Sequence, residues 1–332
     1  MKKFWRITLI STAVSIIIYF GAALVLTFWP AEPAFAVDPF PVAAHAAADF
    51  TPQAYPMRDG ETLFARRFVA DSDDTILLLH GVTSESAAFN GSAQMLREIS
   101  GAEVIALDLR GHGQSGGTPG DVAYIGQYED DVADVVAAIR AEKPNGRLIL
   151  AGHSMGGGIA LRYAQLSDRL AVDAYLMFAP HLGSDAPTMP QPDPDNPAAV
   201  EVAAAYSQLN VPRLIGLIML NNVGITGLNH LDTLFFNLTD DVTHVYSFGA
   251  TVNTSPTKYA DALTAVDAPM LVVVGRQDEA FVAGEFETAV TTHSHGEVHV
   301  IDGENHNSIV TSDAAMAIIE TWLQDTQLAA QN

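Results

Sequence analysis

The stretch that most constrains this chain is Leu148-Ile149-Leu150-Ala151-Gly152-His153-Ser154-Met155-Gly156-Gly157-Gly158-Ile159-Ala160-Leu161. Its apolar start reads as a buried strand, and Gly152-His153-Ser154-Met155-Gly156 turns sharply into an apolar-striped helix. A G-x-S-x-G pattern between a strand and a helix raises its serine on a strained turn as a nucleophile. Side chains at Gly152 or Gly156 would collide where strand and helix pass closely. The N-terminus of the new helix, with unpaired N–H groups and partial positive charge, faces the place where an oxyanion would form.

The rest of the chain alternates. Thr75–Gly81, Glu103–Asp108, Val172–Pro180, Pro269–Gly275 and Val298–Ile301 read as strands, and continuous apolar runs suit strands covered on both faces. Ser86–Ile99, Tyr124–Glu142, Ala283–Thr291 and Asp313–Thr326 read as helices between them, while Tyr55–Ala70 reads as a hairpin about Arg58-Asp59-Gly60. The expectation is an α/β fold, a mostly parallel twisted sheet with helices on both faces. Alternation breaks from His181 to about Ala260, where a Pro/Asp-rich connector (Ala186–Pro197) precedes helices expected at Pro197–Leu209 and Pro212–Asn221. A helical cap at 182–261 is therefore expected between the sixth and seventh strands, inserted into a core of 53–181 and 262–332.

Sixteen Lys and Arg face thirty-nine Asp and Glu, a formal charge of -23. That balance argues against nucleic-acid binding, which needs cations against phosphate, and suits a self-repelling surface in a salty medium. There is no cysteine, so disulfides, thiolate metal sites and a cysteine nucleophile are excluded. Lys2, Lys3 and Arg6 precede Ile7–Trp29, an uncharged apolar run long enough to span a hydrocarbon core of about 30 Å. Cations before the run and Glu32, Asp38 and Asp49 after it place the N-terminus in the cytoplasm and the remainder across the membrane. Residues 1–29 are thus expected to be a membrane anchor and 30–52 a tether. Ala34-Phe35-Ala36 resembles a signal-peptidase site, which leaves secretion after cleavage as the alternative, although the apolar run exceeds the roughly 7–15 residues of a cleaved signal. The domain is exported in either case.

A serine hydroxyl needs a base, normally a histidine oriented by a carboxylate, and such groups gather at the carboxyl ends of strands. Of eleven histidines, His306 lies in a polar loop directly after the last strand; Asp278 lies in the loop after the preceding strand, with Glu279 as its substitute. The Met155 and Val82 N–H groups are the candidate oxyanion donors, Gly81 allowing the backbone to approach closely. His80 is expected to order this loop and to border the substrate, while His112 and His153 read as structural loop residues. His293 and His295 have a ligand-like spacing but no third ligand, so no metal and no cofactor are expected.

Leu79-His80-Gly81, Asp108-Leu109-Arg110-Gly111-His112-Gly113-Gln114-Ser115, Gly152-His153-Ser154-Met155-Gly156-Gly157, Gly275-Arg276-Gln277-Asp278 and Gly303-Glu304-Asn305-His306 stand in that order. In this the chain resembles the α/β-hydrolase superfamily, and within it the monoacylglycerol lipase/lysophospholipase branch, also called serine-aminopeptidase-like. The resemblance covers about Pro56 to Leu323 apart from the cap. It implies a Ser154–Asp278–His306 triad, an oxyanion hole of Val82 and Met155 N–H groups, and a signature loop, Asp108–Ser115, that shapes the strand-end face. The membrane segment and the cap depart from the branch, so lipid specificity does not carry over from the motifs.

The cap carries what substrate information there is. Leu214 and Ile218 sit in a helix apolar on nearly every side, and Phe235 lies further on; these either bury the cap or form an acyl-chain pocket or lipid-facing lid. The expected partners are a small ester or lipid substrate and, through the N-terminal helix, a membrane; oligomeric state stays open. A dehalogenase or epoxide hydrolase would need an aspartate in place of Ser154. A haloperoxidase would share the triad. An aminopeptidase or amidase would use acids such as Asp232, Asp240 or Asp241 to hold an ammonium, and a membrane-tethered binding protein would have a broken triad.

Overall fold

In the computed structural model, residues 2–30, 33–42, 44–190, 205–239 and 241–329 are described. The chain enters as α1 (Lys2–Thr27) and then forms the hairpin β1 (Thr51–Pro56) and β2 (Thr62–Phe68), with Gly60 at φ 92° in the turn. Next come β3 (Thr75–Leu79), α2 (Asn90–Ser100), β4 (Glu103–Leu107), α3 (Gln127–Glu142), β5 (Leu148–His153), α4 (Met155–Ala164) and β6 (Ala174–Phe178). The insertion carries β7 (Ser207–Leu209), α5 (Val211–Asn221), β8 (Asp232–Phe236), β9 (Val245–Ser247), α6 (Phe248–Asn253) and α7 (Tyr259–Thr264). The chain closes with β10 (Met270–Gly275), α8 (Phe286–His293), β11 (Glu297–Ile301) and α9 (Asp313–Ala329).

The main sheet runs β1-β2-β4-β3-β5-β6-β10-β11. β1, β2 and β4 pair antiparallel at one edge, and every other neighbour is parallel. β3, β4, β5, β6 and β10 are buried over their whole length, which is why their sequences are apolar without alternation. Helices close over the sheet, α2 packing with α9 and α4 packing with α3 and α7. This is the mostly parallel α/β architecture expected, and the segment from β7 to α7 lies in sequence between β6 and β10.

The insertion differs from the all-helical expectation. β7, β8 and β9 form a separate three-stranded antiparallel sheet, and Phe235 lies on its middle strand. Most of the helix expected at Pro197–Leu209 lies outside the described residues, but Ser207–Leu209 is strand rather than helix because it pairs with Leu234–Phe236. The helix expected at Pro212–Asn221 is α5, opened by Asn210, whose side chain accepts the Arg213 N–H at 3.2 Å, and by Pro212 in the first turn.

The membrane-length helix does not stand apart. Among the described residues α1 alone is long and apolar enough to cross a membrane. Its C-terminal half lies on α5, with Gly216 so close that a Cβ there would sit 2.4 Å from the Thr27 nitrogen and 2.7 Å from the Ala23 oxygen. Tyr19 Oη donates to the Met219 carbonyl at 2.7 Å, and Arg213 Nε to the Thr27 carbonyl at 3.1 Å. The segment expected to be a tether makes contacts of its own: Phe40 bridges to Leu238, Asn90 Nδ2 donates to the Ala46 carbonyl at 2.6 Å, and β1 begins at Thr51.

Candidate active site

Ser154 follows β5 directly and takes φ 53°, ψ −117°, a region non-glycine residues rarely occupy. Neighbouring glycines make that turn possible. A Cβ on Gly152 would lie 2.4 Å from the Gly156 carbonyl carbon, and one on Gly156 would lie 2.2 Å from the Leu79 oxygen. Backbone bonds hold the strained residue: its N–H donates to Phe178 O at 3.1 Å, and its carbonyl accepts from Gly158 and His181 N–H at 3.1 and 2.9 Å. Such strain, worth about 1–3 kcal/mol, persists only where surroundings over-determine it.

The loops after β10 and β11 bring Asp278 and His306 together. Asp278 Oδ2 accepts from His306 Nδ1 at 2.9 Å, and the side chain has 0% exposure. Its other oxygen accepts the Ala280 and Phe281 N–H groups, each at 2.8 Å, which fixes the carboxylate plane. Glu279, weighed as a substitute, instead accepts the His306 backbone N–H at 3.1 Å. The His306 loop is tied to the serine turn by His153, whose Nε2 donates to the His306 carbonyl at 2.8 Å, the two rings lying 4.7 Å apart. Ser154 Oγ itself has no hydrogen bond among the described residues, His306 included. In unliganded active sites such bonds commonly tighten only with substrate bound.

The strand-end loops complete the rim. A Cβ on Gly81 would meet the Ser154 Cβ at 3.2 Å, so the backbone leading to Val82 passes against the serine. Neither the Val82 nor the Met155 N–H has an acceptor among the described residues. His80, expected among the substrate contacts, is instead fully buried: its Nδ1 donates to Gly81 O at 2.8 Å and its Nε2 accepts the Leu109 N–H at 3.0 Å. It joins two loops and has no nitrogen left for a ligand. Asp108 does similar work, Oδ1 accepting the Ser86 N–H at 2.6 Å and Oδ2 the Gln114 N–H at 2.8 Å.

Burial lowers the ionisation of the surrounding imidazoles, to about 4 for His80 and His181 and to about 3 for His112 and His153. All four are neutral at physiological pH.

Leu214 and Phe235 are partly buried and Ile218 is exposed, and α5 packs on α1 and β8. A cavity of ≈ 380 Å³ between the signature loop and the insertion is lined by Ser84, Glu85, Gly113, Thr243 and His244, not by those three. His293 ends α8 and His295 lies in the following turn, so they do not share a strand face. No group of three or more metal-capable side chains occurs among the described residues.

One residue went unread in the sequence. Tyr246 on β9 is fully buried, and its hydroxyl lies 2.7 Å from the Thr83 nitrogen and 2.8 Å from His112 Nε2. A lone tyrosine among polar residues of an unmatched insertion carries no signal of such a contact.

The profile of the serine aminopeptidase S33 family matches residues 70–224. An uncharacterised protein of Mycobacterium tuberculosis is 25% identical over 288 residues, covering 79% of this chain and 78% of that protein. A monoacylglycerol lipase of Mycolicibacterium smegmatis is 31% identical over 155 residues, covering 41% of this chain and 55% of the lipase. The solved structure of a membrane phospholipase A described as a bacterial virulence factor superposes with a TM-score of 0.57 at 20% identity, covering 98% of this chain and 99% of its own. The chain has the α/β-hydrolase fold and is similar to the serine aminopeptidase S33 family and to a monoacylglycerol lipase.

Proposed function

We propose that this protein is a serine hydrolase of carboxylic esters, with Ser154 as nucleophile, His306 as general base and Asp278 as the acid that orients it. The observation that carries the reading is a serine at φ 53° beside a loop in which a buried carboxylate holds the imidazole at 2.9 Å. Asp278 accepts from Nδ1, so the Nε2 lone pair of neutral His306 is free to take the serine proton. Oγ attacks the ester carbonyl, and the Val82 and Met155 N–H groups stabilise the resulting oxyanion. His306 then returns the proton to the leaving alcohol. Water, deprotonated by the same imidazole, releases the acid from the acyl-enzyme and restores Ser154. One oxyanion donor is worth about 10²–10³ in rate.

A lipid-type ester suits the chain. The relative bearing a monoacylglycerol lipase name supports it, and so does an apolar N-terminal helix seated on the insertion. In this reading α1 anchors the enzyme, residues 182–261 act as a cap, and the catalytic part lies outside the cytoplasm. A panel of nitrophenyl esters from acetyl to decanoyl, with an aminoacyl amide alongside, tests it on the full chain in detergent. Turnover should favour the longer esters over both acetyl and the amide. A sharp acetyl preference would remove the lipid assignment, and faster amide turnover would move the protein to the aminopeptidases.

A further inference from the structure

Hydrogen bonds stitch the insertion to the two strand-end loops. Thr243 Oγ1 donates to the Gly111 carbonyl at 2.7 Å, and the Ser247 N–H donates to the Gly120 carbonyl at 2.8 Å. Between them, the phenol of Tyr246 reaches the loop that carries Val82. The direction of its bonds follows from the inventory of donors. His112 Nδ1 lies 2.8 Å from the Arg110 carbonyl and must donate to it. The neutral ring then presents Nε2 as an acceptor, so the Tyr246 hydroxyl donates there and its oxygen accepts the Thr83 N–H. The Thr243 carbonyl lies 3.4 Å from the same hydroxyl, a longer and weaker alternative to His112 Nε2 at 2.8 Å.

The contact matters because of where Thr83 sits. It takes φ 57°, a genuine outlier for a β-branched residue, and the peptide that joins it to Val82 adjoins the candidate oxyanion donor. We propose that Tyr246 is a positioning residue for the oxyanion hole: its phenol holds the Thr83 N–H and thereby fixes the Val82 N–H toward Ser154, so that the cap supplies part of the catalytic preorganisation. Without this bond Thr83 relaxes to negative φ, the 82–83 backbone turns, and the Val82 donor leaves the hole. Seating of the cap and competence of the hole are then one event.

This inference rests on the serine-hydrolase reading, and its test separates the two. Tyr246→Phe keeps the ring against Phe236 and His112 and removes only the hydroxyl. In the full chain with a nitrophenyl ester, kcat should fall about 10–100-fold, less than the roughly 10²–10³ for losing an oxyanion donor outright, with KM little changed. Affinity for an alkyl boronic acid, whose tetrahedral adduct places an oxygen in the hole, should fall in parallel. A kcat within twofold of wild type, or a fall carried by KM with unchanged boronate affinity, would overturn the proposal and make the phenol cap packing alone. Should the single variant not fold, the same readouts are taken on Thr83→Gly with Tyr246→Phe, since glycine removes the steric cost of φ 57° yet, without the phenol, is as free to leave that conformation as to keep it; a kcat within twofold of Thr83→Gly alone would likewise overturn it. Ser154→Ala runs beside each variant: activity surviving there sinks the hydrolase reading, whereas failure at Tyr246 leaves Ser154 dependence intact.

Discussion

Ser154 occupies a conformation that its neighbours impose, and those neighbours are therefore as testable as the serine. Gly156→Ala places a methyl group 2.2 Å from the Leu79 carbonyl, which a backbone atom can relieve only by moving β3 or the turn. It should cost about 1–3 kcal/mol, read as a lowered thermal midpoint, and displace the hydroxyl enough to abolish ester turnover. Asp278→Asn keeps the shape but offers His306 a partner that also stabilises the wrong tautomer. It should lower kcat on the order of 10⁴-fold with the fold intact by circular dichroism. The strained turn at Ser154 and the pairing of Asp278 with His306 are legible in the sequence because each is tied to a short motif at a strand end. His80 was misplaced because LHG shows a histidine at a loop but not that both its nitrogens are spent on Gly81 and Leu109. Tyr246 was invisible, its partners lying more than a hundred residues away.

At the level of elements, what could be read divided along the kind of pattern each element leaves. The buried parallel strands announce themselves as unbroken apolar runs, and their order of alternation with helices located the insertion. β7 and β9, three residues each, are too short to show the period-two pattern of a strand, so the small sheet was not anticipated. The docking of α1 on α5 left one trace, Gly216 in an otherwise apolar helix, where its meaning depends on Ala23 and Thr27 far upstream. Gly216→Val should push the two helices apart, costing about 1–3 kcal/mol and exposing the buried Leu217 and Leu220. Limited proteolysis at the residues following Thr27 should become faster in the variant. Unchanged cleavage would show that the contact contributes nothing to holding the cap.

For the whole molecule, burial of neutral imidazoles couples stability to pH. His80, His112, His153 and His181 ionise at 6.5 in an unperturbed chain but only near 3–4 in the fold, so between those values the unfolded chain binds more protons. Their contribution is full above pH 6.5 and declines as pH falls toward 4. The thermal midpoint should be flat from pH 8 to 7 and drop steeply from 6.5 to 4; a flat profile over that range would mean these rings are hydrated. Composition showed none of this, since a histidine count says nothing of burial. The central claim, however, concerns one oxygen atom. Its most direct measurement is mass spectrometry of the full chain after reaction with an alkyl fluorophosphonate. The account predicts one adduct per chain, located on Ser154, and none in Ser154→Ala. An adduct on any other residue, or labelling that survives the substitution, would contradict it.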